Sequence, residues 1–326
     1  MRLFTTVGFA NCPILLYSSH MKAVFPTLLK IILSLVLVLL ILTAPSLFVN
    51  EGETRYMNLH APIEVLEDFF TELGSEDFFI VMFGKTPRDL RSFIFEYTLV
   101  SLKHLLTGTI ISLLMGISLG ILIGVNKGSR SLGGLSLISA IPDFILVMLL
   151  QLISVMLFST FGIRIGYINY SSQEGIAVLP VIIIVIISIS YVIRTISLKM
   201  VTIATEDYIQ YARAKGLSRR VIIFRHMLVA VLDQFRGDVI KLVSISIGSL
   251  FIVERMFNIP GLTRLLFSFG FNLQFTYSSG VSAYSVNFRI AAIAIILIAC
   301  VSSLTYIVCY SIILLLKRMC AHEAIF

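Results

Sequence analysis

A chain of 326 residues with 58% hydrophobic and only 13% charged side chains falls well below the roughly 25% charge of soluble domains. Its mean hydropathy of +0.99 calls for lipid as solvent. The net charge of +7 comes with no nucleic-acid-binding motif, so nucleic acid is excluded as a partner. Cys12, Cys300, Cys309 and Cys320 form no CxxC pair, which argues against a zinc site or a disulfide framework.

Six apolar segments, at 24–48, 98–125, 135–161, 176–198, 227–253 and 288–316, reach the length of about 20 residues that a membrane helix needs. They are too long and too uniformly apolar for the alternating strands of a barrel. The fold expected is therefore an all-α polytopic membrane protein with six transmembrane helices. Residues 1–23 precede the first helix; Arg2–His20 match neither a signal peptide nor a span. Met21-Lys22 directly precede the first apolar run, and translation is expected to begin at Met21.

Basic residues set the orientation. Arg2, Lys22, Lys127, Arg130, Lys199, Arg213, Lys215, Arg219, Arg220, Arg225, Lys317 and Arg318 fall in segments 1–23, 126–134, 199–226 and 317–326. These are expected to be cytoplasmic, with both termini inside. The acid-rich segment 49–97, with Glu51, Glu53, Glu64, Glu67, Asp68, Glu72, Glu76 and Asp77, is expected outside. Within it, Pro62 opens a short amphipathic helix that Gly74 ends, and a second amphipathic piece runs from Pro87 to Glu96. This segment is either a cap on the outer rim or a contact surface for an external partner.

Gly108, Ser112, Gly116, Gly120 and Gly124 place a small residue at every fourth position of the second apolar segment. Such spacing lets helix backbones approach closely in lipid, and a packing role is expected. In the third segment, Ser136, Ser139, Asp143, Gln151 and Ser154 share one face at helical spacing, and Pro142 is expected to bend the helix. A carboxylate in a span costs about 2.5–3.5 kcal/mol on insertion scales, so Asp143 should face protein or a watery cavity. The stripe is either a translocation pathway or an interhelical hydrogen-bonding seam. Ser139, Asp143, Gln151, Ser154 and, after the fifth segment, Glu254 are the pathway candidates. Asp233–Arg236 and Asp238–Lys241 are i,i+3 pairs opening the fifth segment.

The segment Lys199–Arg225 is too polar to span. Asp207 or Thr205 is expected to cap a short helix through Tyr208, Tyr211, Ala212, Arg213, Ala214 and Lys215. Gly216 then turns the chain, Leu217 follows, and Ser218 caps a second helix. Small Ala and Gly residues would let a partner approach, and the basic residues would offer it charged hydrogen bonds.

Tyr208-x-x-x-Ala212-Arg213-Ala214-Lys215-Gly216-Leu217-Ser218, followed by Arg225-His226-x-Leu228, resembles the EAA-loop signature of permease subunits of ABC importers. More specifically, it resembles the first (B-type) permease of the oligopeptide/dipeptide/nickel branch. Arg194, Ile141-Pro142-x-Phe144 and Val253-Glu254-x-x-Phe257-x-x-Pro260-Gly261-Leu262-x-x-Leu265 are similar to further motifs of that branch. Departures mark a divergent member. Gln210-Tyr211-Ala212 replaces Glu-Ala-Ala, no proline follows His226-x-Leu228, Thr263 replaces a glycine, and 271–287 lacks an Asp-Tyr-Pro run.

The resemblance implies a type I ABC importer permease fold, with a five-helix core over 98–316 and a coupling loop over 199–226. It implies as partners a second homologous permease, two cytoplasmic ATPases and an extracytoplasmic substrate-binding protein, in the bacterial cell membrane. ATP and Mg would be used by the ATPases, because these residues contain no GxxxxGK[ST] loop. No cofactor, metal or catalytic residue is expected in this chain. Peptides or nickel complexes are the cargo implied. A secondary, ion-coupled transporter is the alternative; it would usually show internal repeats and midplane charges.

Overall fold

The computed structural model describes residues 33, 36–51, 54–83, 86–126, 141–163, 178–275 and 282–322. Cys12, Met21, Ser136 and Ser139 lie outside them. The chain divides into two compact units, Met1–Phe78 and Phe79–Phe326.

In the first unit, residues 36–42 are helical and lead through a 3-10 turn, Ala44–Leu47, into an antiparallel hairpin of β1 (Phe48–Glu51) and β2 (Thr54–Met57). Helix α1 spans Ala61–Glu72 with Pro62 in its first turn, where the missing N–H costs nothing. Phe69 is its buried residue and meets Phe70 and Phe78 edge-on, each with ring centroids 5.5 Å apart.

The second unit opens with a hairpin of β3 (Ile80–Phe83) and β4 (Thr86–Asp89). Helix α2 then runs unbroken over Leu90–Val125, with the Asp89 carboxylate accepting from the Arg91 amide at 2.9 Å. The expected amphipathic piece from Pro87 to Glu96 is thus split. Pro87 belongs to a strand, and the residues after the Asp89 cap belong to the long helix, which meets no breaker before Asn126.

Helix α3 (Asp143–Phe161) starts at Pro142, whose carbonyl accepts from Ile145 and Leu146. Pro142 therefore stands at a helix start and does not bend a continuing helix. At this N-cap position the missing N–H of proline costs no intrahelical hydrogen bond. Helix α4 covers Val178–Ile203, and α5 (Asp207–Ala214) follows. The chain continues through α6 (Arg219–Val221), a π-helical turn (Ile222–Met227) and α7 (Leu228–Phe235). A 3-10 turn at Arg236–Asp238 leads into α8 (Val239–Met256).

Next come α9 (Leu262–Arg264), a π-helical turn (Leu265–Gly270), the hairpin β5 (Phe271–Phe275) with β6 (Ser282–Val286), and α10 (Phe288–His322). Among the described residues, α2, α3, α4 and α10 are long and apolar enough to cross a membrane. The fifth apolar stretch is not one uniform helix, because the turn at Arg236–Asp238 divides it and α8 carries Lys241, Glu254 and Arg255.

The α2–α4 contact forms the tightest seam. Gly108 faces Ile184, Gly116 faces Val192, Gly120 faces Ile196 and Gly124 faces Met200. A Cβ on any of these glycines would stand 2.6–2.7 Å from the facing side chain, so only glycine permits this backbone approach. Ser112, on the same stripe, is buried and donates to the Thr109 carbonyl at 2.8 Å. One turn of α4 is pinned to α8 by a buried hydroxyl pair, Ser188 and Ser246, at 2.9 Å.

Ion pairs around the Arg236–Asp238 turn tie four helices together, α4, α7, α8 and α10. Asp233 pairs with Arg236 and, at 2.7 Å, with Lys317 of α10. Asp238 pairs with Lys199 of α4 at 3.1 Å and with Lys241 at 3.7 Å.

Candidate coupling loop and pathway residues

The loop between α4 and α7 is built on a short helix with two different faces. Its first residue, Asp207, follows Glu206, whose extended backbone makes the N-cap without a side-chain hydrogen bond. Neither expected cap is used: Thr205 Oγ1 donates back to the Thr202 carbonyl at 2.7 Å, and Asp207 is already helical. Gln210 Nε2 donates to the Thr205 carbonyl at 3.0 Å, closing the entry.

The exit is a Schellman motif. The Gly216 amide donates to Arg213 at 2.9 Å and the Leu217 amide to Ala212 at 3.4 Å, satisfying carbonyls that the helix end leaves open. Gly216 has φ +78°, a left-handed conformation that side chains disfavour. Ser218 caps the next helix, accepting from the Val221 amide at 3.5 Å.

Ile209 is fully buried and Ala212 is 5% exposed; both join an apolar cluster with Ile203, Ile222, Met227, Leu228 and Val231. The opposite face shows Tyr208, Tyr211, Leu217 and, further on, Phe224 to solvent, with Tyr211 63% exposed. Asp207, Arg213, Ala214, Lys215, Gly216 and Ser218 are exposed with them. The Lys215 ammonium lies 4.6 Å from the Tyr211 ring centroid, within cation–π range. Burial, with the Glu206 charge adding to it, holds the Tyr208 phenol above its ordinary value, so Tyr208 is a neutral hydrogen-bonding group at physiological pH.

Arg219 donates to the Val125 carbonyl at 3.4 Å, where a cation suits the C-terminal end of α2. Between that end, α4 and the loop lies a cavity of about 780 Å³, walled by residues including Val125, Leu198, Val201 and Leu217. The loop thus presents an aromatic and basic outer face while its inner face is continuous with the helix core. Ile209 is the residue that sequence reasoning missed. Its signal was the apolar pair Ile209 and Ala212 at i,i+3.

The pathway candidates are placed separately. Ser139 lies outside the described residues. Asp143 is half-buried at the start of α3. Gln151 Nε2 donates to the Met256 carbonyl of α8 at 3.4 Å, and Ser154 is buried. Glu254 is 1% exposed. Its Oε1 accepts from Ser101 Oγ at 2.5 Å and its Oε2 from the Thr263 amide at 2.9 Å. In this conformation the Glu254 carboxylate is occupied inside the protein. Ser101 of α2 and Thr263 are partners that sequence reasoning did not foresee.

A family model for the "Binding-protein-dependent transport system inner membrane component" matches residues 108–316. The chain belongs to this family. It is a multi-pass membrane protein, and the matched region contains α3 to α9, the second half of α2 and all but the end of α10.

Among its relatives, a probable peptide ABC transporter permease of Sinorhizobium fredii is 27% identical over 48% of this chain and 52% of its own. The dipeptide transport system permease DppB of Bacillus subtilis is 28% identical over 51% and 53%. The oligopeptide transport system permease OppB of Salmonella typhimurium is 25% identical over 54% and 58%. The chain spans about half the length of these curated relatives.

Proposed function

We propose that this chain is a pore-forming permease subunit of an ATP-driven importer for peptides or a related small solute such as a nickel complex. The two-faced loop around α5 carries the reading. Its inner residues, Ile209 and Ala212, are locked into the helix core, so a push on its outer face reaches the helices. That outer face offers Tyr208, Tyr211, Leu217 and Phe224 beside Arg213 and Lys215, a mix of aromatic and basic groups common at protein interfaces. The occupant proposed is a cytoplasmic ATPase, which uses ATP and Mg and supplies the hydrolysis, leaving this chain non-enzymatic. The peptide cargo rests on the printed names of the relatives.

A second homologous permease would complete the pore, two ATPases would drive it, and an extracytoplasmic binding protein would deliver the cargo. The loop and both termini would be cytoplasmic, in keeping with the basic residues of 199–226. The test is uptake of labelled di- and oligopeptides into vesicles holding the chain with its partner permease and ATPases. Uptake that requires ATP and both ATPases is expected. Uptake driven by an ion gradient with this chain alone would instead establish a secondary transporter.

A further inference from the structure

After α8 the chain turns at Asn258–Gly261 into α9, and the Glu254 side chain holds that turn against the helices. Asn258 takes φ +52°, the Ile259 amide donates to the Glu254 carbonyl oxygen at 2.9 Å, and Pro260-Gly261 leads into α9. Gly261 is the N-cap of α9 and offers no side-chain hydrogen bond. The two amides that follow are satisfied from other helices. The Leu262 amide donates to Ser101 Oγ of α2 at 2.7 Å, and the Thr263 amide donates to Glu254 Oε2 of α8 at 2.9 Å.

Ser101 in turn donates to Glu254 Oε1. One carboxylate and one hydroxyl therefore join α2, α8 and the start of α9, all out of solvent. The fit leaves no slack: a Cβ at Gly261 would stand 2.3 Å from Glu254 Oε1. The surrounding Leu262 and Thr263 are buried, and a buried amide without an acceptor is costly.

We infer that Glu254, held by Ser101, is a positioning residue. It clamps the 258–270 segment to α2, so that α2, α8 and this segment move as one body when the pore changes state. Helix α3 meets α8 near this point, where Gln151 Nε2 donates to the Met256 carbonyl in an exposed hydrogen bond, and the movement is placed there. The transport consequence rests on the permease reading above; the clamp itself does not.

Hydrogen exchange on the purified chain, paired with uptake by the reconstituted importer, tests the inference. Glu254→Ala should speed exchange of the Thr263 amide about 5- to 150-fold, the equivalent of one buried donor losing its acceptor. Gly261→Ala keeps the carboxylate but drives it from its seat, and should do the same. Glu254→Gln retains an oxygen for Thr263 and an amide for Ser101, so it should stay folded and change exchange only a few-fold. In the importer, Glu254→Ala should lower the maximal uptake rate about 10-fold with ATPase association unchanged, and Glu254→Gln should restore most of it.

Unchanged Thr263 protection in Glu254→Ala overturns the clamp. Released protection with unchanged uptake overturns its role in transport. Failure of the unmodified importer to take up peptide with ATP would sink the permease reading instead, and the exchange result would still decide the clamp.

Discussion

The α2–α4 seam and helix α3 are equally apolar but packed in opposite ways. At the seam, four glycines bring two backbones together with no room for a Cβ. On α3, Val147 and Ser154 are the buried residues, while Phe144, Met148, Leu149, Leu152 and Phe158 among others stay exposed. Lipid tails are as apolar as leucine, so burial by itself does not draw helices together in a membrane; close packing does. The seam therefore reads as the frame of this chain, and α3 as a helix that leaves most of its surface exposed among the described residues, available to the second permease proposed above.

The largest break in that contrast comes from the frame. Gly116→Leu must displace Val192 and should cost about 3 kcal/mol or more, beyond ordinary overpacking. Folded yield in detergent should collapse, and normal yield would remove the seam's importance.

Ala212→Arg comes next. Ala212 faces the core, so the charge should unseat α5 from its cluster at a cost of about 1–3 kcal/mol, read as faster chymotryptic cleavage at the tyrosines within 199–226, since an added arginine would itself be a tryptic site. Cleavage at the unmodified rate would mean that Ala212 points outward.

Gly216→Ala should be milder, about 1–2 kcal/mol for a left-handed alanine, read as faster exchange of the Leu217 amide. The smallest effect belongs to α3. Leu152→Ala should change the stability of the chain alone by less than about 0.5 kcal/mol yet reduce recovery of the second permease. A large loss of stability in the isolated chain would show that α3 is packed internally after all.

Much of the frame was legible because it is written in local spacing. The glycine stripe, the αL turn at Gly216, the Ser218 cap and the Asp233–Arg236 and Asp238–Lys241 pairs all follow from spacings of three or four residues. The two faces of α5 were harder to see, because eight residues hold too few apolar positions to define an inward side. Ile209 was therefore overlooked, and Ala212 was taken for an outward, partner-facing residue.

The break at Arg236–Asp238 hid inside an apolar average. The start of α2 at Leu90 depended on one cap, Asp89, ahead of the apolar run. The contact of Glu254 with Ser101 joins residues far apart in the chain, and no periodicity announces such a bond.

The central claim is that the outer face of the α5 loop receives an ATPase. Tyr211 and Leu217 are exposed, so Tyr211→Glu combined with Leu217→Glu should leave the chain folded. The decisive measurement is the amount of partner ATPase that co-purifies with this variant, at a folded yield matched to the unmodified chain. Most of the bound ATPase should be lost, and ATP-driven uptake with it. Full retention of the ATPase by the doubly substituted chain would contradict the central claim.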